Sequence, residues 1–125
     1  MTRLRWLVFE LSSDSDERVT LDAMASVSLA NWPDLQAEVC QILGWLHREH
    51  GALQGAHEEG GAWDVHLTGS IERAHDVTFE FVKTVAQLRG TLETGERVRH
   101  TLSICLSVAP WLAEALDDEF GTGAL

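Results

Sequence analysis

Two long stretches of this chain alternate apolar and polar residues with a period of two, and a segment of helical period lies between them. In the first stretch Val19, Leu21, Ala23, Ala25, Val27 and Leu29 alternate with Thr20, Asp22, Met24, Ser26 and Ser28. In the last, Val98, Leu102, Ile104, Leu106 and Val108 alternate with Arg97, Arg99, Thr101, Ser103, Cys105 and Ser107. A period of two sends every second side chain to one face of a pleated strand, so both stretches read as half-buried strands. From about Trp32 to His50 the period changes. Leu35, Val39, Ile42, Leu43 and Leu46 recur at steps of three and four and form one apolar stripe of a helix. Asn31 suits its N-cap, Pro33 its first turn and Asp34 its positive end, and Gly51 suits a left-handed stop.

The remaining segments fit around this frame. Arg3 to Leu11 reads as a strand with apolar groups on both faces, joined by the polar loop Ser12 to Arg18 to the strand beginning at Val19, as a β-hairpin. Trp63 to Ile71 and Val77 to Phe81 alternate again, and residues 72 to 76 read as a second hairpin loop between them. Residues 82 to 93 fit helix and strand patterns about equally; Gly90, which costs about 1 kcal/mol inside a helix, tips them to strand. Thr94-Gly95-Glu96 then turns into the last strand. Pro110 opens a short helix in which Leu112, Ala113, Leu116 and Phe120 can pack, ended by Gly121.

The expectation is an α+β fold of order β-β-α-β-β-β-β-α: a single curved antiparallel sheet of five to six strands, the long helix packed on one face and a short C-terminal helix. With 125 residues and 45% hydrophobic content, residues 1–125 suit a single domain, with a flexible glycine-rich loop at 51–62 and a tail at 121–125.

Twenty acidic residues against nine basic ones give a net charge of −11. That charge disfavours nucleic acid and anionic membrane surfaces and would steer a basic partner. No apolar run approaches the roughly 20 residues that span a bilayer, and no export signal is evident, so a soluble, cytoplasmic protein is expected. Cys40 and Cys105 lack CxxC spacing and are expected as free thiols.

Candidate chemistry centres on histidine. His47 and His50 stand one helical turn apart, and His57 and His66 follow within twenty residues, a set that could bind a divalent transition metal. Histidines at a helix end also simply complement its negative pole, and this plainer role is preferred. His100 is the one polar residue in the apolar register of the last strand, so its imidazole must find a partner or lose its charge. Carboxylate pairs such as Glu58-Glu59 lie in polar loops, and no nucleophile or phosphate-loop motif is present; no cofactor is expected. Trp63 is a candidate contact residue, by the enrichment of Trp at interfaces, and so are Arg97 and Arg99, which share the outward face of the last strand and could pair with acidic side chains across the sheet or form a local anion-binding patch.

Two functions follow. The preferred one is a non-catalytic protein-interaction module, of chaperone-like, inhibitory or toxin-neutralising type, binding another protein, for which the charge favours a basic one, or forming a homodimer through an edge strand. The alternative is a small metal- or ligand-binding protein or enzyme using the His/Glu cluster at the end of helix 32–50.

Overall fold

The computed structural model describes residues 2–14 and 18–123. Its strands are β1 (Glu10–Ser13), β2 (Val19–Ser28), β3 (Trp63–Ala74), β4 (Val77–Val82), β5 (Gln87–Leu92) and β6 (Arg97–Val108), and its helices are α1 (Trp32–His50) and α2 (Pro110–Phe120). The architecture is α+β and antiparallel, as the periodicity requires. The strands divide into a four-stranded sheet of order β1-β2-β6-β3 and a separate two-stranded ribbon, β4-β5, where one continuous sheet was expected.

One face of the four-stranded sheet carries the core. Leu21, Ala23, Ala25 and Val27 of β2 and Ile104, Leu106 and Val108 of β6 are buried, whereas the alternate residues Asp22 and Met24 are exposed. Against this face lie Leu35, Val39, Ile42 and Leu46 of α1 and Leu112, Leu116 and Phe120 of α2. The apolar stripe read from the sequence is therefore the buried one.

Several local expectations are corrected. The first strand was expected over Arg3 to Leu11, but only Glu10–Ser13 pairs, with β2. Ahead of it, the backbone N–H groups of Arg5, Trp6 and Leu7 donate to the carboxylate of Glu38 at 2.7–3.1 Å, which satisfies them without a neighbouring strand. Asn31 makes no side-chain cap bond, because a short 3-10 turn (Leu29–Asn31) feeds directly into α1. Gly51 is right-handed, with φ −58° and ψ −36°, and starts another 3-10 turn in place of a left-handed stop. Gly121 does take the left-handed form, with φ 66°, and its N–H bonds the carbonyl of Asp117.

The connection 51–62, expected as flexible, is hydrogen-bonded into the fold. Ala62 N–H donates to Leu53 O at 2.7 Å, Gly55 N–H to Trp63 O at 2.8 Å and Ala109 N–H to Ala62 O at 2.8 Å. A side chain at Gly61 would bring its Cβ to 2.1 Å from the Gly55 carbonyl, so only glycine fits that crossing. Of the loop and tail read from the sequence, residues 15–17 and 124–125 lie outside the described residues.

The largest correction is one of pairing. Residues 72 to 76 do not close a β3-β4 hairpin. Glu72, Arg73 and Ala74 still pair with β6, opposite Arg99, Val98 and Arg97. The chain then continues into β4, whose partner is β5. β3-β4 and β5-β6 are thus two sides of one long ribbon with an elbow at residues 75–76 and 93–96. β2 ends opposite Arg99, so the β4-β5 half extends past its last paired residue.

Candidate interaction surface

Directly opposite residues of an antiparallel pair share a face. In the β4-β5 ribbon Val77 faces Leu92, Phe79 faces Gly90 and Phe81 faces Leu88. One face is therefore wholly apolar, and the intervening positions, among them Thr78 with Thr91 and Glu80 with Arg89, form a mixed polar face. A ribbon with this pattern belongs against a core, yet Phe79 is 64% exposed, Phe81 59% and Leu88 and Leu92 each 68%. Among the described residues, nothing covers this face. Phe79 lies over Gly90, where an added Cβ would stand 3.1 Å from its ring edge, so the aromatic fills the gap that the glycine leaves.

The elbow is braced by charge. Arg97 Nη2 meets Asp76 Oδ1 at 2.7 Å, Arg73 Nη1 meets Glu96 Oε1 at 3.2 Å, and His75 Nδ1 lies 2.9 Å from the Gly95 carbonyl. Glu93 N–H donates to Asp76 O at 2.8 Å, and the Thr78 hydroxyl donates to the Glu93 carboxylate. Such exposed pairs contribute about 0–1 kcal/mol each; together they set how the outer ribbon leaves the sheet. Arg97, a candidate contact residue, is engaged here, and Arg99 is exposed opposite Glu72.

Trp63, the other candidate contact residue, is a core residue. It is fully buried, and its indole N–H donates to the carbonyl of His50 at 2.8 Å, closing one of the orphan carbonyls at the end of α1. The histidines of the expected metal cluster are not brought together. His47 presents to the Trp63 ring at 5.1 Å, and His50 lies between Trp45 at 5.2 Å and Trp111 at 5.4 Å. His57 sits 3.4 Å from the Arg18 guanidinium through Nδ1, which must be the acceptor because Arg has none. His66 projects from the face of the sheet away from α1. Among the described residues no group of three or more His, Cys, Asp and Glu side chains is placed to hold a metal ion.

Arg18 is the polar anchor that the sequence did not single out. It is 5% exposed, and its guanidinium donates to Ser107 Oγ at 3.0 Å, to Gly61 O at 2.9 Å and to Ser107 O at 3.3 Å, tying the glycine-rich connection to the end of β6. His100 is also buried. It stacks on Trp32 at 4.5 Å, and its Nδ1 has no hydrogen-bond partner.

On the outer face, register places Glu10, Asp22, Cys105 and His66 in one row across all four strands. They line a shallow depression of about 370 Å³. The row is not arranged as a thiolate nucleophile. Burial, then a hydrogen bond to Asp22 and its negative charge, pushes the Cys105 thiol up to about 11. The thiolate fraction at pH 8 is accordingly roughly 100-fold below that of an ordinary cysteine. Alkylation of Cys105, followed by peptide mapping to separate it from exposed Cys40, is expected to rise with pH towards a midpoint near pH 11. Asp22→Asn should move that midpoint down; an unmoved midpoint would dismiss the carboxylate's role.

No helix among the described residues is long and apolar enough to cross a membrane. Comparison with known protein families, curated proteins and solved structures finds no match to this chain.

Proposed function

We propose that this chain is a protein-interaction module whose contact surface is the apolar face of the β4-β5 ribbon. One observation carries the reading: Phe79, Phe81, Leu88 and Leu92 stand more than half exposed on a single face that includes no charged residue. A lone two-stranded ribbon is marginal in water and needs a third layer against its apolar side. A contiguous apolar patch of this kind on a small protein marks a contact site. Recognition there is by burial of apolar surface, and the partner is another polypeptide; chaperone-like, inhibitory and toxin-neutralising proteins work through such surfaces.

The experiment is titration of dilute protein with the hydrophobic dye bis-ANS. Fluorescence enhancement is expected for the native chain and a several-fold smaller one for Phe81→Asp, with Thr91→Arg on the polar face as the unaffected control. Equal dye response in all three proteins would sink the assignment of this face. Ionic strength separates it from a complex made by the acidic surface: a basic partner held by charge is released as salt rises, whereas an apolar contact is held or strengthened.

A further inference from the structure

We infer that the occupant of this face is a second copy of this chain, packed ribbon on ribbon about a two-fold axis; this rests on the reading of the face as a contact surface. Charge is the first reason. Residues 72–99 hold Glu72, Asp76, Glu80, Glu93 and Glu96 against Arg73, Lys83, Arg89, Arg97 and Arg99, so this part of the chain is neutral and the remainder carries the whole −11. A basic partner selected by the protein's charge finds no net charge on the ribbon to select. Two neutral ribbons meet without repulsion. The six-residue strands of the ribbon are roughly 20 Å long, beyond the Debye length of about 8 Å at physiological salt, so ribbons joined away from the sheets leave the two acidic bodies largely screened from each other.

Shape and area are the second reason. A two-fold contact uses the same patch twice and must be self-complementary. A face made only of Val77, Phe79, Phe81, Leu88, Gly90 and Leu92 satisfies this, since it buries no charge against its own copy. The exposed fractions of its five larger residues amount to roughly 500 Å² per copy. Two copies therefore bury roughly 1,000 Å² through these side chains alone, the lower bound for a specific interface, and the ribbon's rim adds to it. Face-to-face packing supplies the missing layer at the usual spacing of about 10 Å between sheets.

Sedimentation velocity and equilibrium of the full chain over a range of concentrations test this. A monomer–dimer equilibrium is expected that tightens as NaCl is raised from about 10 mM, where the Debye length of about 30 Å lets the two acidic bodies repel, to about 150 mM, where they are screened. Phe81→Asp and Leu88→Asp, on opposite strands of the same face, should each weaken it by roughly 100-fold or more, while Thr91→Arg leaves it intact. All five tryptophans lie outside β4 and β5, so unchanged tryptophan emission in the variants shows the body still folded. A dimer that persists in both Asp variants overturns the inference. A native chain that stays monomeric at all concentrations but binds bis-ANS through Phe81 overturns the second copy alone and leaves the face to a different polypeptide. A monomer with no dye response removes both readings.

Discussion

Glu38→Ala is expected to lower the stability of the fold by about 3 kcal/mol, a large share of what a domain of this size has. Glu38 is 7% exposed, and its carboxylate accepts from three successive backbone N–H groups: Arg5 at 2.8 Å, Trp6 at 3.0 and 3.1 Å and Leu7 at 2.7 Å. Charge-assisted bonds of this kind are about twice as strong as neutral ones, and their loss leaves three N–H groups without this acceptor, that of Leu7 in a buried position. Leu7, at 3% exposure, and Phe9, at 8%, are then released from the core along with the segment. Glu38→Gln keeps the shape but turns one acceptor into an NH₂ that faces a donor, so it should cost about half as much. Urea unfolding gives the totals, and hydrogen exchange at the amides of Arg5 to Leu7 shows where the loss is felt. A Glu38→Ala protein with native stability and protected amides at those positions would refute the clamp.

This clamp also shows where reading the sequence stopped short. Glu38 stands three residues after Leu35 and four before Ile42, within the apolar stripe of α1, and a carboxylate in that register needs a buried partner. Its partner is backbone, and backbone donors leave no mark in a sequence. β2 and β6 were legible because burial on one face forces alternation, and both helices were legible because their stripes hold the period of 3.6. Pairing was legible in part: β1 with β2 and β4 with β5 are the expected antiparallel neighbours, whereas the partner of β3 was not legible. The polar run Glu72-Arg73-Ala74-His75-Asp76 has the composition of a hairpin turn and equally of an elbow in a continuing ribbon; the choice depends on contacts with β6, far away along the chain.

The apolar face of the β4-β5 ribbon was half legible. The alternation of Val77, Phe79 and Phe81, and of Leu88 and Leu92, declares an apolar face, but alternation does not say whether a helix covers it. Length does. A helix of 19 residues spans roughly 28 Å, whereas residues 63–82 in extended form reach roughly 65 Å. α1 can cover less than half of such a ribbon, and the overhang is where Phe79, Phe81, Leu88 and Leu92 are exposed. In Trp63 and Arg97 a local partner engages the polar group: the carbonyl of His50 for Trp63, which residue type does not reveal, and an acidic side chain, Asp76, for Arg97, as its outward position on the last strand allows.

Trp63→Ala is expected to be the most damaging single substitution in the body, at about 3–5 kcal/mol. Trp63 is fully buried at the start of β3, opposite Val108, with the His47 ring against its own. Truncation removes the largest side chain of the core and opens a cavity between β3 and the end of α1. It also leaves the His50 carbonyl without its 2.8 Å donor. Trp63→Phe separates the two effects, because it restores most of the volume and none of the hydrogen bond, and should cost about 1–2 kcal/mol. Denaturant titration followed by circular dichroism measures both without relying on the lost fluorophore. If Trp63→Phe proved as damaging as Trp63→Ala, the indole N–H would be the dominant tie and the packing minor. If both were neutral, β3 would not be anchored to α1 through this residue. The ribbon offers an internal comparison: Phe79 and Phe81 are as apolar as Trp63 but 64% and 59% exposed, so Phe81→Ser should change the monomer's stability by well under 1 kcal/mol. Large aromatics thus anchor the fold at one end of the ribbon and are expected to contribute almost nothing to it at the other, where their rings stand in solvent.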